Sequence, residues 1–154
     1  MLKKIISGGQ TGADRAGLDV AIAKGIPHGG WIPKGRKTED GVLPDKYNLS
    51  EMTSTSYPKR TEKNILDSDG TMIISHGKIT GGSSLTKKLA EQHVKPWIHL
   101  NMNDLSIKEA STQLARWINN HNIQTLNVAG PRATKDPAIH TRTSEVLNGC
   151  IDLL

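Results

Sequence analysis

The chain has 154 residues, a formal net charge of +5 and only 3% aromatic residues, with a mean hydropathy of −0.45. This length suits one domain spanning residues 1–154. No run of about 18 apolar residues is present, so we expect no membrane partner. Bases are not interleaved with aromatic residues as in single-strand nucleic-acid binders. The single cysteine, Cys150, excludes an internal disulfide, and no cysteine or histidine spacing indicates a tightly held structural metal. We therefore expect a cytoplasmic protein that binds a small anionic ligand rather than nucleic acid.

The spacing of apolar residues predicts five strands, at residues 3–7, 26–32, 71–75, 96–100 and 125–129. It predicts helices between and after them, at residues 13–24, 59–66, 85–92, 106–119 and 138–153. Gly25 ends the first helix, and Ser106 with Glu109 forms a capping box at the start of the fourth. Residues 33–50 are rich in proline, glycine and charge, but they also contain scattered apolar side chains. We expect them to form a long ordered excursion rather than a flexible linker.

This alternation predicts the α/β class, with a five-stranded, mainly parallel sheet and helices on both faces. Ligands bind such sheets at the carboxyl ends of the strands. Three glycine-containing loops lie at such ends, namely residues 7–15 (SGGQTGADR), 76–84 (HGKITGGSS) and 130–135 (GPRATK). The first two lead into helices, whose N-terminal N–H groups favour an anion. Together the three loops predict an anion-binding site.

Each loop also has a purely structural interpretation. The first loop matches neither a Walker A motif nor G-x-G-x-x-G. Gly12 could serve only to let the first helix approach the sheet, while Asp14 stabilises the helix start and Arg15 faces solvent. Residues 67–70 (DSDG) favour a turn over a magnesium site.

Two further segments could contribute to the site. The basic residues 34–37 follow Trp31, whose flat ring could stack on a ligand ring. Arg60 could reach a phosphate from the start of a short helix. Glu62 is either a general base or a residue that stabilises the first helical turn. No Ser-His-Asp grouping and no carboxylate pair with the spacing of an acid–base couple is recognisable in the sequence.

Five motifs together resemble the molybdenum cofactor carrier proteins and their bacterial relatives: GGQTGADRAGLDVA, WIPKGRKTEDG, YPKRTEKNILDSDGTMI, TGGSSLT and NVAGPRATKDP. The resemblance is collinear and spans residues 5–137. It implies a three-layer Rossmann-like fold, a homotetramer or dimer, and a surface pocket that holds the molybdenum cofactor. The resemblance places these residues at motif positions that we expect to bind the ligand: Gly8, Gly9, Thr11, Gly12, Arg15, Lys34, Arg36, Arg60, Thr61, Glu62, Gly81, Gly82, Ser83, Ser84 and Arg132.

The same family lies near a superfamily of nucleotide sensors and phosphoribohydrolases. Those enzymes carry P-G-G-x-G-T-x-x-E, but Lys88 stands where their glutamate would be. We therefore do not expect their activity. Three hypotheses follow: a binding or carrier protein, a nucleotide-processing enzyme with Glu62 or Asp14 as base, and a sensor of a nucleotide-derived ligand. The three anion loops and the lack of a convincing catalytic set favour the first.

Overall fold

The sheet at the centre of the molecule has the last strand of the chain as its middle strand. In the computed structural model, which describes residues 1–154, the main sheet has five parallel strands. The nine strands of the chain are β1 (Lys4–Ser7), β2 (His28–Gly29), β3 (Trp31–Ile32), β4 (Lys37–Thr38), β5 (Gly41–Val42), β6 (Ser50–Glu51), β7 (Gly70–Ser75), β8 (Trp97–Asn101) and β9 (Thr125–Ala129). The main sheet has the order β2-β1-β9-β7-β8. Every residue of β7 is buried, as expected for a strand covered on both faces.

Helices cover both faces of the sheet, which confirms the predicted α/β class. They are α1 (Ala13–Lys24), α2 (Tyr57–Asp67), α3 (Gly81–Gln92), α4 (Ile107–Asn120) and α5 (Ile139–Leu153). Helix α5 packs between α1 and α4 on one face, and α2 packs against α3 on the other. None of the five helices combines the length and apolar character needed to cross a bilayer.

The excursion after the second strand is ordered around a small core of its own. Strand β6 pairs with β3, and β4 pairs with β5 in a hairpin. Five buried side chains form the small core: Leu18, Ile32, Leu43, Tyr47 and Leu49. Four of them come from the excursion or the strand before it, and Leu18 anchors them to α1. The scattered apolar residues of this segment therefore do the packing that the sequence predicted, except Val42, which is 68% exposed.

The observed elements differ from the predicted ones at two places. The predicted second strand splits, because Gly30 has a φ of 125° and separates β2 in the main sheet from β3 in the small one. Helix α3 begins at Gly81, four residues before the predicted start at residue 85. The glycines of TGGSSLT therefore form the first turn of a helix and not the end of a loop.

Close packing of α1 on the sheet depends on Gly17. A Cβ atom at this position would lie 2.9 Å from the Cβ of Val128 on β9. The sequence assigned this role to Gly12, but Gly12 has a φ of 80° and faces the carbonyl of Pro131. The helix approaches the sheet at its second turn, one turn later than predicted.

We expect Gly17→Ala to lower the free energy of unfolding by about 1–3 kcal/mol, because β9 and α1 must separate to admit the methyl group. At a helix position without such crowding, replacing glycine by alanine raises the free energy of unfolding by as much as about 1 kcal/mol. Gly82→Ala is the matched control, since a Cβ there meets nothing within 4 Å. Urea denaturation should show midpoints that move in opposite directions. Equal midpoints for the two variants would contradict this account of the packing.

Candidate ligand-binding site

A cavity of about 530 Å³ opens at the carboxyl ends of β1, β9 and β7. Helices α1 and α3 leave β1 and β7 toward opposite faces of the sheet, so the cavity lies where the direction of the crossovers reverses. Residues after each of the three strands line it, and α2 closes one side with Tyr57, Arg60 and Thr61. The β4–β5 hairpin adds Thr38 and Glu39. The predicted convergence of the three loops is therefore what the structure shows.

The first turn of α3 offers unpaired backbone donors to this cavity. Its N-cap residue, Thr80, makes no side-chain capping bond. The N–H groups of Gly81 and Gly82 have no backbone partner, whereas Ser83 donates to the carbonyl of Thr80 at 3.1 Å. Gly82 and Ser83 line the cavity. Free N–H groups at a helix start, together with the helix dipole, stabilise a bound anion.

Four cationic side chains line the cavity, and two of them have no partner. Arg60 donates to the carbonyl oxygen of Gly8 at 2.7 Å, and Arg132 pairs with Glu39 at 3.3 Å. Lys78 and Lys135 line the cavity without a hydrogen bond or an ion pair. A Cβ on Gly81 would lie 3.2 Å from Nζ of Lys135, so this ammonium group lies against the start of α3. The two unpaired lysines and the free N–H groups form one positive subsite.

Glu39 ties the β4–β5 hairpin to both neighbouring loops. Its carboxylate accepts hydrogen bonds from Thr11 Oγ1, from Thr134 N at 3.1 Å and from Thr134 Oγ1 at 2.6 Å. Burial alone would raise the pKa of Glu39, but these hydrogen bonds and the charge of Arg132 hold it below its ordinary value. Glu39 therefore stays ionised and fixes one wall of the cavity.

Asp14 is the buried acid of the site. Its carboxylate lines the cavity beside Gly8 and the guanidinium of Arg60. Burial raises its pKa to about 6, although Arg60 and the backbone N–H groups of Gln10 and Gly8 favour the ionised form. Asp14 therefore does more than stabilise the start of α1, because its carboxylate also lines the cavity.

Six of the residues that the motifs singled out line the cavity: Gly8, Arg60, Thr61, Gly82, Ser83 and Arg132. Three others support its walls. Thr11 accepts a hydrogen bond from the N–H of Ala133 at 3.1 Å, Gly12 lies against the Pro131 carbonyl, and Gly81 begins α3. Gly9, with a φ of 75°, packs on Leu49 and Leu43. These glycines shape the loops but do not line the cavity.

The structure turns two of the predicted ligand cations away from the cavity. Arg15 pairs with Asp40 at 2.8 Å and donates to the carbonyl of Gly9 at 3.2 Å. The hydrogen bond from Arg15 holds the pKa of Asp40 below its ordinary value. Arg36 has a φ of 53° and donates to four carbonyls of the excursion, those of Leu43, Pro44, Tyr47 and Leu49.

The remaining predicted residues also lie outside the cavity. Lys34 is exposed, and its N–H donates to the carbonyl of Ser54. Glu62 pairs with His93 at 3.0 Å, and Ser84 donates to the Ile79 carbonyl at 3.3 Å. Trp31 does not line the cavity either, since its indole donates to Asp67 at 2.7 Å. Glu62 therefore has a structural ion-pair role here.

The sequence missed His76, Lys78, Lys135 and Asp136, all of which line the cavity. The first three lie inside loops that the sequence placed at strand ends, and Asp136 directly follows one of them, so loop position was the available signal. His76 and Asp136 are 60 residues apart, and their contact at 2.6 Å could not be predicted from spacing. No group of three or more histidine, cysteine or acidic side chains could hold a metal ion.

A model of the circularly permutated YpsA SLOG family matches residues 5–151 of this chain. Among solved structures, the chain is similar to the putative molybdenum carrier protein from Syntrophus aciditrophicus SB. The two are 55% identical, with a TM-score of 0.96 over 97% of this chain and 95% of that one. No curated protein matches significantly. The two matches confirm the resemblance that the motifs predicted.

Asp14 should make stability fall as pH rises. Because its pKa is about 6 in the folded state, against an ordinary value of 3.8, the folded state holds a proton that the unfolded state has released between these two values. The free energy of unfolding therefore decreases between about pH 4 and pH 6, and Asp14→Asn removes this decrease. Urea denaturation across that pH range measures the difference between the two proteins.

Asp45→Asn serves as the control, since Asp45 is exposed on the excursion. The difference in unfolding free energy between wild type and Asp14→Asn should change with pH. The difference in unfolding free energy between wild type and Asp45→Asn should remain constant with pH. If the difference in unfolding free energy for Asp14→Asn stayed constant with pH, burial would not raise the pKa of Asp14.

Proposed function

The chain belongs to the circularly permutated YpsA SLOG family, and we propose that it is a binding and carrier protein for a small anionic ligand. The ligand that we favour is the molybdenum cofactor or a related molecule that carries a phosphate or an oxometalate group. The observation that carries this proposal is the positive subsite of Lys78, Lys135 and the free N–H groups of α3. Both lysines and the first two residues of α3 are exposed, so an anion can reach them and accept charge-assisted hydrogen bonds from the ammonium groups and the helix N–H groups.

The cavity suits a ligand with an anionic end and a flat ring. Its volume of about 530 Å³ lies within the range of small-molecule sites. A phosphate would accept from the N–H groups of Gly81 and Gly82, and Lys78 and Lys135 would balance its charge. At the other side the ring of Tyr57 is 49% exposed and lies against the guanidinium of Arg60. This ring offers a stacking surface to a pterin.

The name of the solved relative supports the same ligand. That protein is called a putative molybdenum carrier protein, and the two chains are 55% identical. The molybdenum itself would be bound through its oxygen atoms, because the cavity offers cations and N–H donors rather than a cluster of metal-ligating side chains.

A nucleotide-derived ligand is the second candidate, and the exposed Tyr57 ring is the observation that favours it. A purine would stack there as well as a pterin does, and its phosphates would meet the same lysines. The protein would then sense the nucleotide and pass the signal to a partner.

We also propose that the protein forms a homo-oligomer, a tetramer or dimer. The apolar stripes of α4 and α5 pack largely against each other. Exposed large apolar side chains that could form subunit contacts are Ile22, Val42, Leu66, Val94 and, at the end of α5, Leu153. Native mass spectrometry of the protein as purified reports the oligomer and any bound ligand together.

Lys78→Ala and Lys135→Ala should each weaken binding by about 10-fold or more, since a hydrogen bond to a charged group contributes about 1.5–3 kcal/mol. Isothermal titration with molybdenum cofactor, tungstate, molybdate and ADP-ribose measures the dissociation constants. Lys34→Ala is the matched control, because Lys34 is exposed outside the cavity. Its variant should bind as wild type does.

The choice of ligand distinguishes the two candidates. Tight binding of the molybdenum cofactor supports the carrier role, and tight binding of ADP-ribose alone supports the sensor. If millimolar concentrations of all four compounds neither bind nor raise the melting temperature, the proposal is wrong.

A further inference from the structure

One histidine of the six lies in the cavity. His76 follows the last residue of β7, and its side chain lines the site. The other five do not line the cavity. Their ring nitrogens contact Asn48 (His28), Glu62 (His93), Ser75 (His99), Trp117 (His121) and Asp19 (His140). Only His76 combines a titratable imidazole with access to the proposed ligand.

The imidazole of His76 is oriented by a carboxylate. Nδ1 of His76 lies 2.6 Å from Oδ2 of Asp136. The other oxygen of Asp136 accepts the N–H of Ala138 at 3.2 Å, and the backbone N–H of Asp136 donates to the Arg132 carbonyl at 3.1 Å. In the neutral tautomer whose Nδ1–H donates to this carboxylate, Nε2 carries a lone pair. Nε2 makes no hydrogen bond within the chain, so it is free to accept a proton in the cavity.

The backbone around His76 is fixed as well. Gly77 has a φ of 95°, and its N–H donates to Oδ1 of Asn101 at 2.8 Å. Its carbonyl accepts from Ser75 Oγ at 2.7 Å, and that hydroxyl also contacts His99 at 2.7 Å. The Ser75 hydroxyl is therefore engaged on both sides, which leaves it unsuited as a nucleophile for His76 to activate.

We propose that His76 is a general base that hydrolyses ligands whose phosphate carries a second ester or anhydride link, with Asp136 as its positioning residue. The proposal rests on the binding function above, because the same positive subsite must hold the phosphate. Asp136 contacts the imidazole, and the other charged groups that line the cavity are Asp14, Glu39, Arg60, Lys78, Arg132 and Lys135. The cations stabilise the charge that builds up on phosphate oxygens during attack.

The step is balanced with water as the only co-reactant. Nε2 takes a proton from a water molecule while the water oxygen forms a bond to phosphorus. The bond between phosphorus and the leaving oxygen breaks, and the imidazolium returns its proton to that oxygen. A diester gives a phosphate monoester and an alcohol, and an anhydride gives two phosphates. The monoester product keeps the group that the lysines bind.

The test uses two probes, bis(p-nitrophenyl) phosphate as the diester and ADP-ribose as the anhydride. Released nitrophenolate is followed by absorbance, and AMP by chromatography. Wild type should turn over at least one probe, and His76→Ala should lower kcat by about 100-fold or more. Free imidazole should restore part of the rate of His76→Ala, because it replaces the missing base. Asp136→Asn should lower kcat and alter the rise of rate with pH, with a smaller effect on KM.

His93→Gln is the matched control, because the His93 ring also contacts a carboxylate, that of Glu62 at 3.0 Å, and neither residue lines the cavity. It should leave turnover unchanged. Binding of each probe to the same proteins is measured by titration calorimetry. A wild type that binds a probe without hydrolysing it overturns the catalytic proposal and leaves the binding function standing. Turnover that persists in His76→Ala, or that imidazole does not restore, also overturns it. Absence of both binding and turnover overturns the binding function itself and the catalytic proposal with it.

Discussion

The site depends on the close approach of the loop after β9 to the loop after β1. The N–H of Ala13 donates to the Pro131 carbonyl at 3.2 Å, and Thr11 accepts from Ala133. A Cβ on Gly130 would lie 2.6 Å from the Cβ of Ala13 and 2.7 Å from the carbonyl oxygen of Ile74. Only a glycine at residue 130 lets the last strand enter between β1 and β7 at this level. Without that approach, a gap would separate the loop after β1 from the loop after β7, at the place where the loop after β9 now lines the cavity.

This constraint also explains why the fold was easier to predict than the site. Strand and helix patterns are local, and all five strands of the main sheet were predicted, with the capping box of α4 confirmed. The exception was the split of β2 from β3. Pairing order is not local, however, and the sequence gives no direct sign that residues 125–129 form the middle strand. The site was therefore predicted as three loops on one edge, without the contacts between them.

The sequence also could not predict the direction in which a long cationic side chain points. Arg15, Arg36 and Arg132 all follow segments that contain glycine, so the sequence pattern predicts the same ligand-binding role for each of them. In the structure Arg36 turns inward and donates to four carbonyls of the excursion, two of which (those of Leu43 and Leu49) have no backbone partner, while Arg132 reaches the cavity. Arginine has donors enough to organise a loop whose backbone lacks regular pairing. The residues that remain free to bind a ligand, Lys78 and Lys135, lie in stretches with no special composition.

Charge within the cavity is nearly balanced. The position of each cation therefore matters more for anion binding than the number of cations does. Four cationic side chains face three acidic ones, Asp14, Glu39 and Asp136. Glu39 neutralises Arg132, and Asp14 lies against Arg60. The unbalanced charge is therefore concentrated at the two lysines and the start of α3. His76 leaves β7 just before Lys78, so the only free imidazole nitrogen in the cavity lies on the same side as the unpaired charge. Under the proposed function, a phosphate held by that charge would therefore lie in the same cavity as the His76–Asp136 pair.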